Sequence, residues 1–309
     1  MRAYGFVEVG GPEHEAFLEV PVPVPGPGEL LVRVRSAGVN PGDWRLREGA
    51  YGVAGPAVLG REVAGVVEAV GPDVAGFATG DEVFGGCPGM VGGWAEHALV
   101  LASFAAHRPA SVAPGDAAVL PVAAGTAFDA LTNLELPPGA TLLVNGAGGG
   151  VGVAVVQLGT AAGLVVIGTA SPAKHDLIAS YGATPVAYGD GVLDRIRTAA
   201  PGGIDAVFDL VGGDALRAVA TLPANPAQVL SVADKELAKQ LGGREIERDR
   251  SGAVLSRLAE LVAEGALNPH VTNVFPFDKT GEALALVEHG HASGKVVIDV
   301  ADEWLPASV

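Results

Sequence analysis

Six of the seven residues that follow Asn145 are glycine or alanine, and among them Ala147, Gly149 and Gly152 stand in an A-x-G-x-x-G spacing. Residues this small let a backbone turn sharply, approach a pyrophosphate closely and aim the amides of a following helix at its charge. The flanks supply the setting that this chemistry needs. Thr141–Asn145 is predicted to be an apolar strand, and the run VGVAVVQLGTAAG after it a helix. Gly146, Ala147, Gly149, Gly150, Val151 and Gly152 are therefore candidate contacts of a dinucleotide phosphate.

The end of the next predicted strand, Leu164–Thr169, reports on which dinucleotide. A site for NAD usually places Asp or Glu there, roughly 20 residues beyond the motif, to hold the ribose 2′-hydroxyl. Here the stretch reads Gly168-Thr169-Ala170-Ser171-Pro172, with no carboxylate. Thr169 closes the strand, Ser171 could donate to a 2′-phosphate, Lys174 could supply positive charge, and Tyr188 could line the adenine ribose. NADPH is the expected cofactor. The plainer alternatives are a solvated helix lysine at 174 and a packing tyrosine at 188.

Other chemistries lack their residues. A single cysteine, Cys87, excludes an intramolecular disulfide and any cysteine-rich zinc site. The seven histidines include no pair at metal-binding spacing, so surface or packing roles are expected for them and no metal site is predicted. There is no G-x-S-x-G, no Walker loop and no H-E-x-x-H. Asp and Glu outnumber Lys and Arg by 35 to 19, a negative field that opposes nucleic acid and anionic membranes as partners. The start MRAYGFVEVGG lacks the regions of a secretory signal, so the cytoplasm is the expected address. Leu136 to Ala173 carries no charge, yet its glycines, Asn145 and Gln157 suit strand, turn and helix better than one membrane span.

The elements that must position these residues fall into two textures. Up to about residue 114 the chain is rich in Gly and Pro with short β-branched runs at Leu30–Val34, Val63–Val70 and Glu96–Leu101. From Gly115 helix-length segments alternate with apolar strands predicted at Thr141–Asn145, Leu164–Thr169, Pro185–Tyr188, Ile204–Leu210 and Gln228–Val232, the pattern of a parallel sheet. Beyond about residue 249 two helices, Ser251–Glu264 and Asp278–His289, lead to a closing strand Lys295–Val300. The reading is α/β, with a β-rich domain over 1–114, completed by about 250–309, and a doubly wound nucleotide domain over 115–249.

Several blocks resemble one family in order along nearly the whole chain: AGVNPGDWRLREGAYG, GREVAGVVEAVGPDVAGFATGDEVFG, GGWAEHALV, AVLPVAAGTAFDAL, VFDLVGG and GHASGKVVIDV. They are similar to the medium-chain dehydrogenase/reductase superfamily, and within it to the zinc-independent quinone oxidoreductase branch. The resemblance implies a GroES-like catalytic domain formed by both chain ends, a Rossmann domain between them, and often a homodimer through the Rossmann domain. Zinc-dependent relatives carry cysteine where this chain has Asn40 and histidine where it has Arg61. The same resemblance puts Asn40, Tyr51, Thr126, Val211, Gly212 and Lys295 near the reactive end of the cofactor, with Asn40 and Tyr51 as candidate catalytic groups. Asn40 could instead be a turn residue before Pro41, Asp43 a local cap, Tyr51 a lining aromatic, Thr126, Val211 and Gly212 ordinary helix and turn residues, and Lys295 a surface lysine.

Without a metal to polarise a carbonyl, hydride transfer favours an acceptor already activated by conjugation. The expected substrate is a small-molecule electron acceptor, a quinone or an α,β-unsaturated carbonyl. Two alternatives stand beside it: an enoyl-thioester reductase of polyketide or fatty-acid metabolism, and an NADPH-binding redox sensor without turnover.

Overall fold

β-Branched runs in the first part of the chain pair into antiparallel sheets in the computed structural model, which describes residues 1–290 and 292–301. Contacts divide the chain into two units: Met1–Val122 with Arg250–Gly265 and the segment from Pro269 onward, and Ala123–Asp249 with Ala266–Asn268. The first boundary lies beyond residue 114, where glycine and proline thin out. That change of composition marks only the start of a helical run from Pro114 to Leu134. The first turns of this run belong to the first unit, and Val122 N donates to Glu62 Oε2 (2.7 Å). By length and composition the run could also cross a bilayer, but it is mostly buried inside the protein, as core helices are.

In the first unit a seven-stranded sheet is organised around the long strand Glu29–Val39, which pairs antiparallel with Glu62–Val70, His97–Leu101 and Lys295–Asp299. Val271–Pro276 extends this sheet in parallel beside the closing strand. Alternate residues such as Leu30, Val32 and Val34 enter a core with Phe6, Val63, Trp94, Val100 and Ile298. Register does the functional work: Val296 pairs with Val39, which brings Lys295 beside Asn40 from the far end of the chain.

The second unit contains five parallel strands in the order Thr184–Ala187, Val165–Ala170, Thr141–Asn145, Ala206–Asp209, Val229–Ser231. In chain order this is 3-2-1-4-5, a doubly wound sheet. Strands covered on both faces read as continuous apolar runs, and Leu142, Leu143, Val144, Val207 and Phe208 are all fully buried. Each strand starts or stops within two residues of its predicted place. The polar segment after Ala233 forms the helix Lys235–Gln240, capped by Asp234. It then runs back along the helix Gly125–Leu134, where Arg248 Nε meets Asp129 (2.7 Å) and Asn133 exchanges two hydrogen bonds with Glu247.

Candidate active site

The turn after Thr141–Asn145 is built for close approach. Gly146 adopts φ +95°, a backbone conformation that side chains resist, and an added Cβ there would lie 2.9 Å from Val211. A Cβ on Gly152 would sit 2.5 Å from the Gly146 carbonyl oxygen and 2.6 Å from Ala147 backbone atoms. Around Gly149, in contrast, nothing approaches an added Cβ closer than 3.9 Å. The helix Gly150–Ala161 makes its first internal bond from Val153 N to Gly149 O (2.9 Å), leaving the Gly150, Val151 and Gly152 amides ahead of the ladder. Open space before a row of amides at a helix N-terminus fits a pyrophosphate.

The next strand ends beside this turn. Thr169 is buried and its hydroxyl is engaged, donating to Asn145 Oδ1 (2.8 Å) and accepting from Gly146 N (2.9 Å). Ser171 opens the short turn Pro172–Lys174, and Lys174 lies over the glycines with Nζ donating to Gly148 O (2.9 Å). Partial burial lowers its pKa. Val211 and Gly212 follow the strand Ala206–Asp209 on the same sheet edge, and Gly212 N donates to Asp209 (3.0 Å). Tyr188, 65% exposed, follows the outermost strand. Thr126 is buried just after a π-helical turn, Leu120–Ala124.

The first unit holds a second cluster. Asn40 precedes the helix Pro41–Arg47, and Asp43 closes the cap by accepting from Asn40 N (2.8 Å). The Asn40 amide is held at both ends, Nδ2 donating to Glu62 Oε1 (2.8 Å) and Oδ1 accepting from Lys295 Nζ (2.6 Å). Lys295 also donates to Val39 O (3.2 Å) and Glu62 (3.3 Å), so its three protons have three acceptors. It is buried, which removes the surface-lysine alternative. Arg61 Nε binds Asp43 Oδ1 (3.1 Å), its Nη2 binds the Gly42 carbonyl, and its guanidinium carbon lies 4.8 Å from the centre of the half-exposed Tyr51 ring. Asn40, Tyr51 and Lys295 thus share one cluster.

Known proteins carry the same architecture. Residues 26–110 match the alcohol dehydrogenase GroES-like domain and residues 174–298 the zinc-binding dehydrogenase family. The mitochondrial NAD(P)H oxidoreductase RTN4IP1 of Homo sapiens is 31% identical over 89% of this chain and 82% of its own length. The chain belongs to the medium-chain dehydrogenase/reductase superfamily, in its quinone oxidoreductase-like branch. The structure of the quinone oxidoreductase from Coxiella burnetii superposes with a TM-score of 0.89 at 26% identity, covering 97% of this chain and 99% of the other. The spectinabilin polyketide synthase system protein NorB of Streptomyces orinoci is 34% identical over 91% of this chain, which spans only 14% of that protein's length. Members of this superfamily related in these ways make the chain an NAD(P)H oxidoreductase with a nicotinamide cofactor.

Zinc enters the name of the second matched family, and the residues of this oxidoreductase do not fit it. A catalytic zinc takes three protein ligands. Arg61 offers only donors, Asn40 Oδ1 and Glu62 Oε1 already receive the Lys295 ammonium, and burial beside Glu62 and Asp43 raises the Cys87 thiol well above its ordinary range. Among the described residues no group of three His, Cys, Asp or Glu side chains could hold a metal. Sequence reasoning overlooked Glu62, Asp209 and Ser231, and it assigned Asp43 its cap but not its ion pair. A lone carboxylate ending an apolar strand, as in VFD, was the available signal for Asp209.

Burial pushes the Asp43 carboxyl up to about 6, against the pull of Arg61 and the Asn40 amide. A folded-state value above the unfolded one means that folding takes up a proton. The stabilisation is complete below the unfolded value near 4 and is lost as pH rises through about 6. Between pH 5 and 7 the wild type should lose roughly 1 kcal/mol relative to Asp43→Asn, which cannot titrate. Urea midpoints of both proteins across that range provide the check, and a constant difference between them would refute the buried titration.

Proposed function

We propose that this protein is a cytoplasmic NADPH-dependent reductase that transfers hydride to a quinone or an α,β-unsaturated carbonyl without using zinc. The observation that carries the reading is Lys174 laid over the glycine turn, at the end of a strand with no carboxylate. A 2′-phosphate would meet Ser171 and a cation there, whereas the free 2′-hydroxyl of NADH would find no acceptor carboxylate.

NADPH supplies the hydride when bound. The rest falls to side chains. Lys295 and Glu62 fix the Asn40 amide so that one Nδ2 hydrogen is used internally and the other is left to donate to a substrate oxygen as it becomes an enolate or hydroquinone oxyanion. Tyr51, half-exposed over the Arg61 cation, is placed to deliver the proton that completes reduction.

Fluorescence titration with both nucleotides should show NADPH binding at least about tenfold tighter than NADH, a difference near 1.4 kcal/mol that Lys174→Ala removes for the most part. Equal affinities in the wild type would defeat the assignment. Turnover of 1,4-quinones or enones should survive chelators, and metal analysis should find no stoichiometric zinc. The polyketide synthase relative favours one second reading, reduction of an enoyl thioester. A higher kcat/KM for a crotonyl thioester than for any quinone or simple enone would select it.

A further inference from the structure

Four buried polar side chains stand in one row across the carboxyl ends of four adjacent parallel strands. Thr169, Asn145, Asp209 and Ser231 are register partners in that spatial order. Thr169 Oγ1 donates to Asn145 Oδ1 (2.8 Å), Asn145 Nδ2 to Asp209 Oδ1 (2.7 Å), and Ser231 Oγ to Asp209 Oδ2 (2.7 Å). Three of the four also hold backbone in the loops beyond the strand ends. Thr169 accepts Gly146 N (2.9 Å), Asp209 accepts Val211 N (3.2 Å) and Gly212 N (3.0 Å), and Ser231 accepts Asp234 N (3.0 Å).

The direction of every bond is settled by its neighbours. The Asp209 carboxylate only accepts, so the Asn145 NH₂ faces it and the Asn145 carbonyl faces Thr169; the Thr169 hydroxyl, accepting from Gly146 N, gives its proton to that carbonyl. The Ser231 hydroxyl accepts from Asp234 N, so its proton goes to the other oxygen of Asp209. The carboxylate therefore collects four donors, two from the neighbouring strands and two from the loop after its own strand, and none of the four is a cation. A buried network satisfied in only one polarity has no low-energy rearrangement, and loss of one member is felt by the rest.

We infer that Asp209 is a positioning residue that locks the Gly146 turn and the 211–213 turn together, so that the dinucleotide meets a rim already in its bound shape. The inference rests on the dinucleotide reading of the glycine turn. It assigns a role in cofactor affinity to Ser231, whose strand is separated from Thr141–Asn145 by a whole strand.

Ser231→Ala and Ser231→Thr separate a hydroxyl effect from a packing effect. NADPH affinity should fall at least about fivefold in Ser231→Ala and stay within twofold of wild type in Ser231→Thr, with kcat changed less than KM. Thr169→Val combined with Ser231→Ala should lose clearly less affinity than the product of the single losses, because each breaks the same row. Amide hydrogen exchange on the nucleotide-free protein gives a readout independent of the cofactor. Ser231→Ala should speed exchange at Gly146, as well as at Val211 and Gly212. Faster exchange confined to 231–234, or Ser231→Ala affinity equal to wild type, would overturn the inference. If the wild type bound neither nucleotide, the proposed function would fail and the exchange result alone would decide the row.

Discussion

Gly152→Ala should abolish NADPH binding at micromolar concentrations and lower stability by about 2 kcal/mol. Alanine in place of glycine inside a helix ordinarily gains up to about 1 kcal/mol, so the sign depends on space. Here the new methyl would meet the Gly146 carbonyl oxygen at 2.5 Å and Ala147 backbone atoms at 2.6 Å, none of which can rotate away. The helix must move off the turn, and overpacking of this kind costs about 1 to 3 kcal/mol. Displacing the helix amides by about 1 Å from the phosphate proposed for them is enough for a loss on the order of 100-fold. Gly149→Ala is the control, since its methyl meets only open space and the backbone there is ordinary extended chain. It should fold like the wild type and lose affinity only through the bound nucleotide. Thermal unfolding and nucleotide fluorescence test both variants, and wild-type binding by Gly152→Ala would refute the cradle.

The doubly wound sheet was legible in the sequence because strands covered on both faces spell unbroken apolar runs. The uncharged stretch from Leu136 to Ala173 accordingly resolves into strand, turn, helix and strand. Ends were less legible. Ile204 and Leu210 look like strand residues, but the ladder runs only from Ala206 to Asp209, with Asp205 N and Leu210 N still donating to Thr141 O and Asn145 O just beyond its ends. The glycine turn was readable because its demands are local: strand, small residues and helix all lie between Thr141 and Ala161. Asn40, Glu62 and Lys295 have no such signature. Glu62 and Lys295 are 233 positions apart, and only the pairing of Lys295–Asp299 with Glu29–Val39 brings them into contact. Asp209 was missed for another reason: the signal it carries, a carboxylate closing an apolar run, reads equally as a solvated strand end, whereas its four donors keep it fully buried.

Both clusters handle buried charge by saturating it. Taking a carboxylate out of water costs several kcal/mol unless partners replace the lost hydration. Glu62 has Lys295, Asn40 and the Val122 amide; Asp43 has Arg61 and the Asn40 amide; Asp209 relies on neutral donors alone. Such arrangements add little net stability, but they admit few alternative geometries. That property suits the tasks proposed for these clusters, holding a substrate oxygen and a phosphate in fixed places.

Arg47→Met should cost about 3 to 5 kcal/mol, the largest stability loss expected of any single ion pair in the first unit. Arg47 is fully buried at the last turn of the helix Pro41–Arg47 and donates to both oxygens of Glu288 (3.0 and 2.8 Å), to Glu15 and to the Gly10 carbonyl (3.1 Å). Removing the guanidinium leaves two carboxylates facing each other, and Glu15 also carries the Tyr4 hydroxyl (2.8 Å). Lysine cannot replace it, because one ammonium lacks the planar fork that spans both acids. The exposed pair Arg257–Glu260 sets the scale, for Arg257→Met should change stability by less than about 0.5 kcal/mol. Activity should fall as well. The helix that Arg47 anchors at its final turn begins at Asn40, so loosening one end tilts the amide at the other out of the grip of Lys295 and Glu62. Urea midpoints with NADPH-dependent enone reduction measure both effects, and an Arg47→Met protein as stable as Arg257→Met would contradict the assignment of Arg47 as the anchor of that helix.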